Sequence, residues 1–345
     1  MSYEPLFTIT PHLLSRIEHI AALRERIMTA TVDVAWIPAL QMEACARTVH
    51  SSTAIEGNPL TLEQVRAVAK GRDVPAIPDR ARQEVVNYFA GLRFIEKNTG
   101  KKPIGHEDIL ELHRIVAGKV MDQGEAGRYR IIRVRVGAYM PPPPEDVSGL
   151  MFELLKWWNS RAADYSPVIS SAVLHYRFEA IHPFADGNGR TGRALALWEL
   201  YRREFDTHRI FSVDEFYWDD RERYYKSLQS VRKAGDDLTA WLEYAAEGIE
   251  KTLTAVWKRI GLFSAHAVAP KLTLRPRQEQ LLHFLRERGA MTPAEIWEVV
   301  GVSRQGAMDL LKPLLKAGLV IREGGKKTGR YRLADFSSIS GTQAN

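Results

Sequence analysis

A single cysteine, Cys45, stands in 345 residues, so no intramolecular disulfide can form and no cysteine-based zinc site is present. No run of 18 apolar residues exists, which excludes a membrane-spanning helix. The opening MSYEPLFTITPHLLSRIEHI has no basic stretch ahead of an apolar one; no secretory signal is expected, and the cytoplasm is the expected compartment. Internal repeats are absent. Neither sign of charge dominates, since a net +6 is small against 26% charged residues, so where the excess lies matters more than its size. Length suggests two or three domains with substantial cores.

What is there is mostly helical periodicity. Apolar residues recur at helical spacing over 11–35, and a second helix is expected from Pro38 to Ile55, ended by Gly57, Asn58 and Pro59. Thr61 with Gln64 forms a capping box for LTLEQVRAVAKG. Further helices are expected at 80–98, 106–118, 219–233 and 236–260, and in VSGLMFELLKWWNS, VISSAVLHYRFEAI and TGRALALWELYR. In RYRIIRVRVGAYMPPPP, Ile132, Val134 and Val136 alternate with Arg133 and Arg135, the period of a half-exposed strand or hairpin. GLFSAHAVAPKLT reads as a linker. Three short helical patterns and two strand-like runs around a Gly/Lys-rich turn follow it. The expected division is N-terminal helices at 1–70, a core at 71–260, a linker at 261–273 and a small domain at 274–335. Between Lys271 and Arg332 stand 13 Lys and Arg against 6 Asp and Glu, a balance of +7; the rest of the chain sums to about −1.

HPFADGNGR, residues 182–190, is hard to explain as packing. Gly187, Asn188 and Gly189 taken alone are a turn. A helical pattern follows them directly, so their N–H groups join the unpaired donors of a helix N-terminus, an arrangement that cradles phosphate. Arg190 and Arg193 lie three apart on the first turn, suited to a polyphosphate. Asp186 would repel phosphate unless a divalent cation such as Mg²⁺ stood between them. His182 is suited to take a proton from an incoming hydroxyl.

HPFADGNGRTGR fits the Fic signature, His-x-Phe-x-Asp/Glu-Gly-Asn-Gly-Arg-x-x-Arg, at every specified position, and the chain resembles that family over about residues 1–260. The resemblance implies a mainly α fold: a Fic-type helical bundle with a β-hairpin flap at 127–144. It implies transfer of AMP from ATP to a protein hydroxyl, with His182 as general base and Asp186 holding Mg²⁺. The Gly187–Asn188–Gly189 backbone would bind the α and β phosphates, Arg193 the γ-phosphate, and Arg190 would support the cradle. A target protein carrying a Tyr, Ser or Thr hydroxyl would dock on the flap by strand addition. Tyr224 or Tyr225 would border the adenine, with Tyr225 favoured.

SSTAIEGN, residues 51–58, resembles a second, shorter Fic motif through Ser52, Glu56 and Gly57. The resemblance implies that Glu56 pairs with Arg193 and occupies the γ-phosphate position, an intramolecular inhibitor.

Other signals are plainer. His175 reads as structural rather than catalytic, PPPP at 141–144 as a stiff exit from the flap, and Trp157, Trp158, Trp198 and Trp241 as core. The C-terminal segment resembles a winged helix-turn-helix. SRQGAMDLLKPLLKAG would be its recognition helix, opened by Ser303, Arg304 and Gln305, with Lys326, Lys327 and Arg330 near the wing tip. Such a fold binds DNA or a protein, and both partners stay open. A membrane partner is not expected, and a homo-oligomer is compatible with the composition. Against the adenylyltransferase reading stand a DNA-binding regulator whose Fic domain senses nucleotide, and hydrolytic removal of AMP with Glu56 orienting water.

Overall fold

The computed structural model describes residues 3–30, 37–72, 77–205, 209–264, 274–317, 319–325 and 329–334. The chain divides into two compact units, Met1–Met28 with Gln41–Trp257, and Thr29–Leu40 with Lys258–Asn345. Among the described residues, no helix is long and apolar enough to cross a membrane.

The larger unit is a helical bundle. Wholly or for most of their length, it contains α1 (Pro11–Thr29), α2 (Ile37–Ile55), α3 (Leu62–Ala69), α4 (Asp79–Lys97), α5 (His106–Ala117), α6 (Pro144–Ser160), α7 (Pro167–Ile181), α8 (Asn188–Arg202), α9 (Val213–Asp219), α10 (Arg221–Lys233) and α11 (Thr239–Ser264). Local chemistry sets the starts: the Thr61–Gln64 capping box opens α3, and proline occupies the first turn of α6 and α7. Almost every residue of α7 is buried, the mark of a helix surrounded by others. It pairs with α8 through the short loop 182–187, and α8 also packs on α4 and α5. The four tryptophans expected in the core are all buried.

Several boundaries differ from expectation, for identifiable reasons. Helix α1 ends at Thr29, and residues 31–35 of the expected 11–35 span lie outside the described ones. The expected 219–233 helix starts at Arg221, because the Asp220 side chain accepts from Arg223 N–H and caps it there; Asp219 closes a separate, unanticipated α9. Helix α11 runs to Ser264, into the stretch read as linker, whose remainder lies outside the described residues. Residues 127–144 carry a hairpin of one bridge only, Val136 with Tyr139, in place of a strand ladder. The Arg/Val alternation has no second strand or core face to zip onto, and Ile131 is 90% exposed.

The smaller unit is a winged helix. Helices α12 (Pro276–Arg288), α13 (Pro293–Val300) and α14 (Arg304–Lys316) precede two antiparallel strands, β1 (Val320–Glu323) and β2 (Arg330–Leu333), in register Val320↔Leu333 to Glu323↔Arg330. A reciprocal bridge between Met291 and Tyr331 adds a third strand segment. Leu281, Leu285, Ile296, Leu311 and Leu314 form its core with Met291 and Tyr331. Ser303 caps α14 by accepting from Gly306 N–H. Lys326 and Lys327 of the wing tip lie outside the described residues, and Arg330 is exposed.

A fully buried carboxylate locks α8 to α6 and α7. Glu199 accepts from Trp158 Nε1 at 2.6 Å and Ser170 Oγ at 2.6 Å, with Arg202 Nε at 3.2 Å and Arg203 Nη1 at 3.3 Å. Breaking such a cluster from one side strands its partners, so Glu199→Ala should lower unfolding free energy by about 3–5 kcal/mol in a denaturant titration. A change below about 1 kcal/mol would contradict this role.

Candidate functional site

Helix α7 ends at Ile181 and His182 takes a left-handed conformation, φ 51° and ψ 59°, with its N–H donating to Phe178 C=O at 2.8 Å. This turn leads the chain away from α7. The Asn188 side chain then closes the loop, accepting from Phe184 N–H at 2.9 Å and donating to Phe184 C=O at 2.8 Å. Gly187, at φ +77°, turns the chain into α8, which therefore starts at Asn188, ahead of the expected Thr191. The unpaired N–H groups of the first turn of α8 make this end a site for negative charge.

A carboxylate already stands there. Glu56, just beyond the C-terminus of α2, lies over Gly189, where a Cβ would collide with Glu56 Oε1. Its Oε1 accepts from Arg193 Nη2 at 2.8 Å. Arg193, its side chain 1% exposed, also donates from Nε to Ser52 Oγ and from Nη2 to Ser52 C=O, both at 2.8 Å. Burial raises the Glu56 pKa, but Arg193, with help from Arg190 and Arg221, overrides this and holds it below the usual carboxylate value. Asn58 secures the end of α2 by donating to Ala81 C=O at 2.9 Å and Glu84 Oε2 at 2.8 Å on α4.

His182, Asp186, Arg190 and Tyr225, singled out in the sequence, have the following surroundings. Burial depresses His182 to about 4, so its imidazole is neutral at neutral pH. Asp186 Oδ1 accepts from Gly187 N–H at 2.6 Å and Oδ2 from Asp122 N–H at 3.2 Å; among the described residues it has no ion-pair partner. Arg190 is buried 3.8 Å from Glu84, and its Nε and Nη1 have no hydrogen-bond partner among the described residues. Tyr225 donates to Ile55 C=O at 3.4 Å, with Arg221 over its ring. Tyr224 instead turns inward to His175 Nε2 at 3.0 Å, and His175 is fully enclosed.

Three residues escaped the sequence reading. Arg130 clamps the 127–144 segment to the 182–187 loop: Nε donates to His182 C=O at 2.8 Å, Nη2 to Pro142 C=O at 2.6 Å, and its N–H to Pro183 C=O at 2.9 Å. In RYRIIRVRV it looks like one more outward arginine. Glu179 is buried with Oε2 3.9 Å from His182 Nδ1, and burial pushes its pKa up to about 7. His113 of α5 touches both Gly127 and Asp186. Its only signal was a histidine in the apolar period of α5.

Residues 103–200 match the Fic/DOC family and residues 272–330 the MarR family. The chain is 36% identical over 210 residues to protein adenylyltransferase fic-1 of Caenorhabditis elegans, covering 59% of this chain and 40% of that protein. It is 32% identical over 252 residues to protein adenylyltransferase Fic of Aedes aegypti, covering 71% and 48%. It thus spans less than half the length of these curated relatives. Among solved structures, a Fic family protein from Desulfovibrio desulfuricans G20 superposes with a TM-score of 0.67 at 30% identity, covering 96% of this chain and 98% of that one. Fic-1 from C. elegans superposes at 0.64 and 29%, covering 74% of each.

The buried histidines give the fold an acid limit. Burial, reinforced by Arg193, lowers His175 from its ordinary 6.5 to about 3. The unfolded chain then binds a proton that the folded one refuses, so this contribution is present above pH 6.5 and lost as pH falls toward 3. Between pH 7 and pH 5 the loss is about 2 kcal/mol. His175→Phe should reduce by that amount the stability difference between the two pH values in urea titrations; an unchanged difference would refute the assignment.

Proposed function

Because the chain belongs to the Fic family, we propose that it is an autoinhibited protein adenylyltransferase, transferring AMP from ATP to a side-chain hydroxyl of a target protein. The observation that carries this reading is the Glu56 carboxylate seated over Gly189 and paired with Arg193. A helix N-terminus and a buried arginine that hold a carboxylate in one state suit a phosphate in another.

In the proposed reaction the target hydroxyl oxygen attacks the α-phosphorus of ATP and the bond from that phosphorus to the bridging oxygen breaks. Pyrophosphate leaves, and the hydroxyl proton passes to His182, whose neutral imidazole is able to accept it. The N–H groups of the first turn of α8 face the α and β phosphates, Arg193 the γ-phosphate, and the unmet donors of Arg190 complete the cradle. Asp186 fits Mg²⁺: it is a hard oxygen donor without an ion-pair partner among the described residues, beside a phosphate-binding turn. Bound there, the ion would neutralise charge on the phosphates. Tyr225 borders the adenine. The flap, with Ile131, Ile132, Val136 and Met140 exposed, offers unpaired backbone and apolar side chains to an extended target segment.

The test uses α-labelled ATP with Mg²⁺ and protein mass spectrometry. Glu56→Gly should raise AMP labelling by about 10–100-fold, Arg193→Ala should erase that rise, and adding His182→Ala should cost roughly 10²–10⁴-fold. Equal labelling by the native chain and Glu56→Gly would reject the inhibitor; full labelling without His182 would reject the base.

The winged helix supports a second partner. Its segment holds the basic excess of the chain, and Ser303 sets Arg304 and Gln305 on the first turn of α14, where base-reading side chains lie. The full chain should bind duplex DNA with affinity that falls steeply with salt. Replacing Lys326 and Lys327 by alanine should lower the salt slope by about 2. Absence of binding at low salt would leave the protein-interaction reading.

A further inference from the structure

We propose that His113 is a positioning residue that registers the root of the flap to the loop carrying Asp186, so that the target hydroxyl and the phosphates meet at a fixed separation; the inference rests on the adenylyltransferase reading. His113 is fully buried in α5. Gly127, where the flap begins, donates its N–H to His113 Nδ1 at 2.9 Å. A backbone N–H only donates, so Nδ1 carries no proton and the ring is the Nε2–H tautomer. That Nε2–H faces Asp186 C=O at 2.9 Å and donates to it. The two ring nitrogens are thus both committed, one to each partner.

Packing fixes the ring between them. It stacks on Phe184 at 3.5 Å between centroids and 2° between planes. Gly187, which turns the chain into α8, lies close against the ring: a Cβ there would meet Ala117 Cβ at 3.0 Å and His113 Nε2 at 3.3 Å. Gly127 is equally close on α5, where a Cβ would stand 3.0 Å from Arg114 Cβ and 3.1 Å from Leu110 C=O. One imidazole therefore spaces the flap root from the turn that opens the anion site. In-line transfer tolerates little error in this spacing, since a misplacement of about 1 Å costs on the order of 10²-fold in rate.

The two contacts separate by substitution. A glutamine amide reaches the Nε2 position and keeps donation to Asp186 C=O, while losing the acceptor for Gly127. An asparagine amide reaches the Nδ1 position and does the reverse. In the Glu56→Gly background, His113→Gln should keep its Kd for MgATP within about threefold while labelling falls at least roughly tenfold. His113→Asn should instead raise the Mg²⁺ concentration for half-maximal ATP binding by about 10-fold or more, as loss of an outer support for a metal carboxylate does. Hydrogen exchange reads the link without catalysis: the Gly127 amide should exchange at least about tenfold faster in His113→Gln than in His113→Asn. Parallel loss of ATP binding and labelling in both variants would overturn the proposal, as would no change in either. In the unsubstituted chain, histidine ¹⁵N spectra at pH 7 should show His113 as Nε2–H; a proton on Nδ1 would overturn it outright, whether or not the variants fold. If the Glu56→Gly parent labels nothing, the adenylyltransferase reading fails, while exchange and tautomer still decide the role of His113.

Discussion

Arg193 is a buried cation met by Ser52 and Glu56, and in the proposed reading what stands in the place of Glu56 decides the state of the molecule. Ser52 takes its Nε and one Nη2 bond, and Glu56 takes the other. A guanidinium at such depth is tolerated only with charge and hydrogen bonds to meet it. Glu56 is the partner that can be exchanged, because its side chain is 33% exposed whereas that of Arg193 is 1% exposed. On this account the inhibitor and the γ-phosphate of the substrate compete for the same guanidinium face. The mild worth of a partly exposed ion pair is then an advantage, since a deeply buried one would hold the closed state against millimolar nucleotide.

In the proposed reading the scaffold serves that competition by bracing the elements around Arg193. Helix α7 is enclosed on all sides and α8 is locked to it through Glu199. Asn188 braces the loop between them, while Arg130 ties the same loop to the exit of the flap through Pro142. The end of α2 is fixed independently of Glu56, by Ser52 on Arg193 and Asn58 on α4. In the proposed reading, rotation of the Glu56 carboxylate is enough to free Arg193, and α2 stays in place.

Legibility in the sequence followed locality. The motif of residues 182–193 is contiguous, and its local chemistry was readable: breakers, a helix start and basic residues at i, i+3. Glu56 was readable only through a second motif, since its partner lies 137 residues away. Arg130 and His113 act through carbonyls and a backbone N–H far along the chain, and Glu179 faces the ring of His182 only because the chain turns at the end of α7, contacts that leave no periodic trace. Helical periodicity located most of the bundle but ran through Asp220, because a cap inside an amphipathic pattern does not alter the pattern. Alternation at Ile132–Val136 signalled extension without saying whether a partner strand exists. The Fic-type bundle and the winged helix were legible at the level of fold; their fine joints depend on side chains that meet only after folding.

Competition for Arg193 makes a demand that a general loosening of the site would not. ADP lacks the γ-phosphate, so it has no claim on the face that Glu56 occupies. Calorimetric titration of the native chain and Glu56→Gly with MgATP and MgADP measures this directly. The account predicts that the substitution tightens ATP by about tenfold and leaves ADP unchanged within twofold, a coupling of about 1.4 kcal/mol. An equal gain for both nucleotides, or for neither, would contradict it.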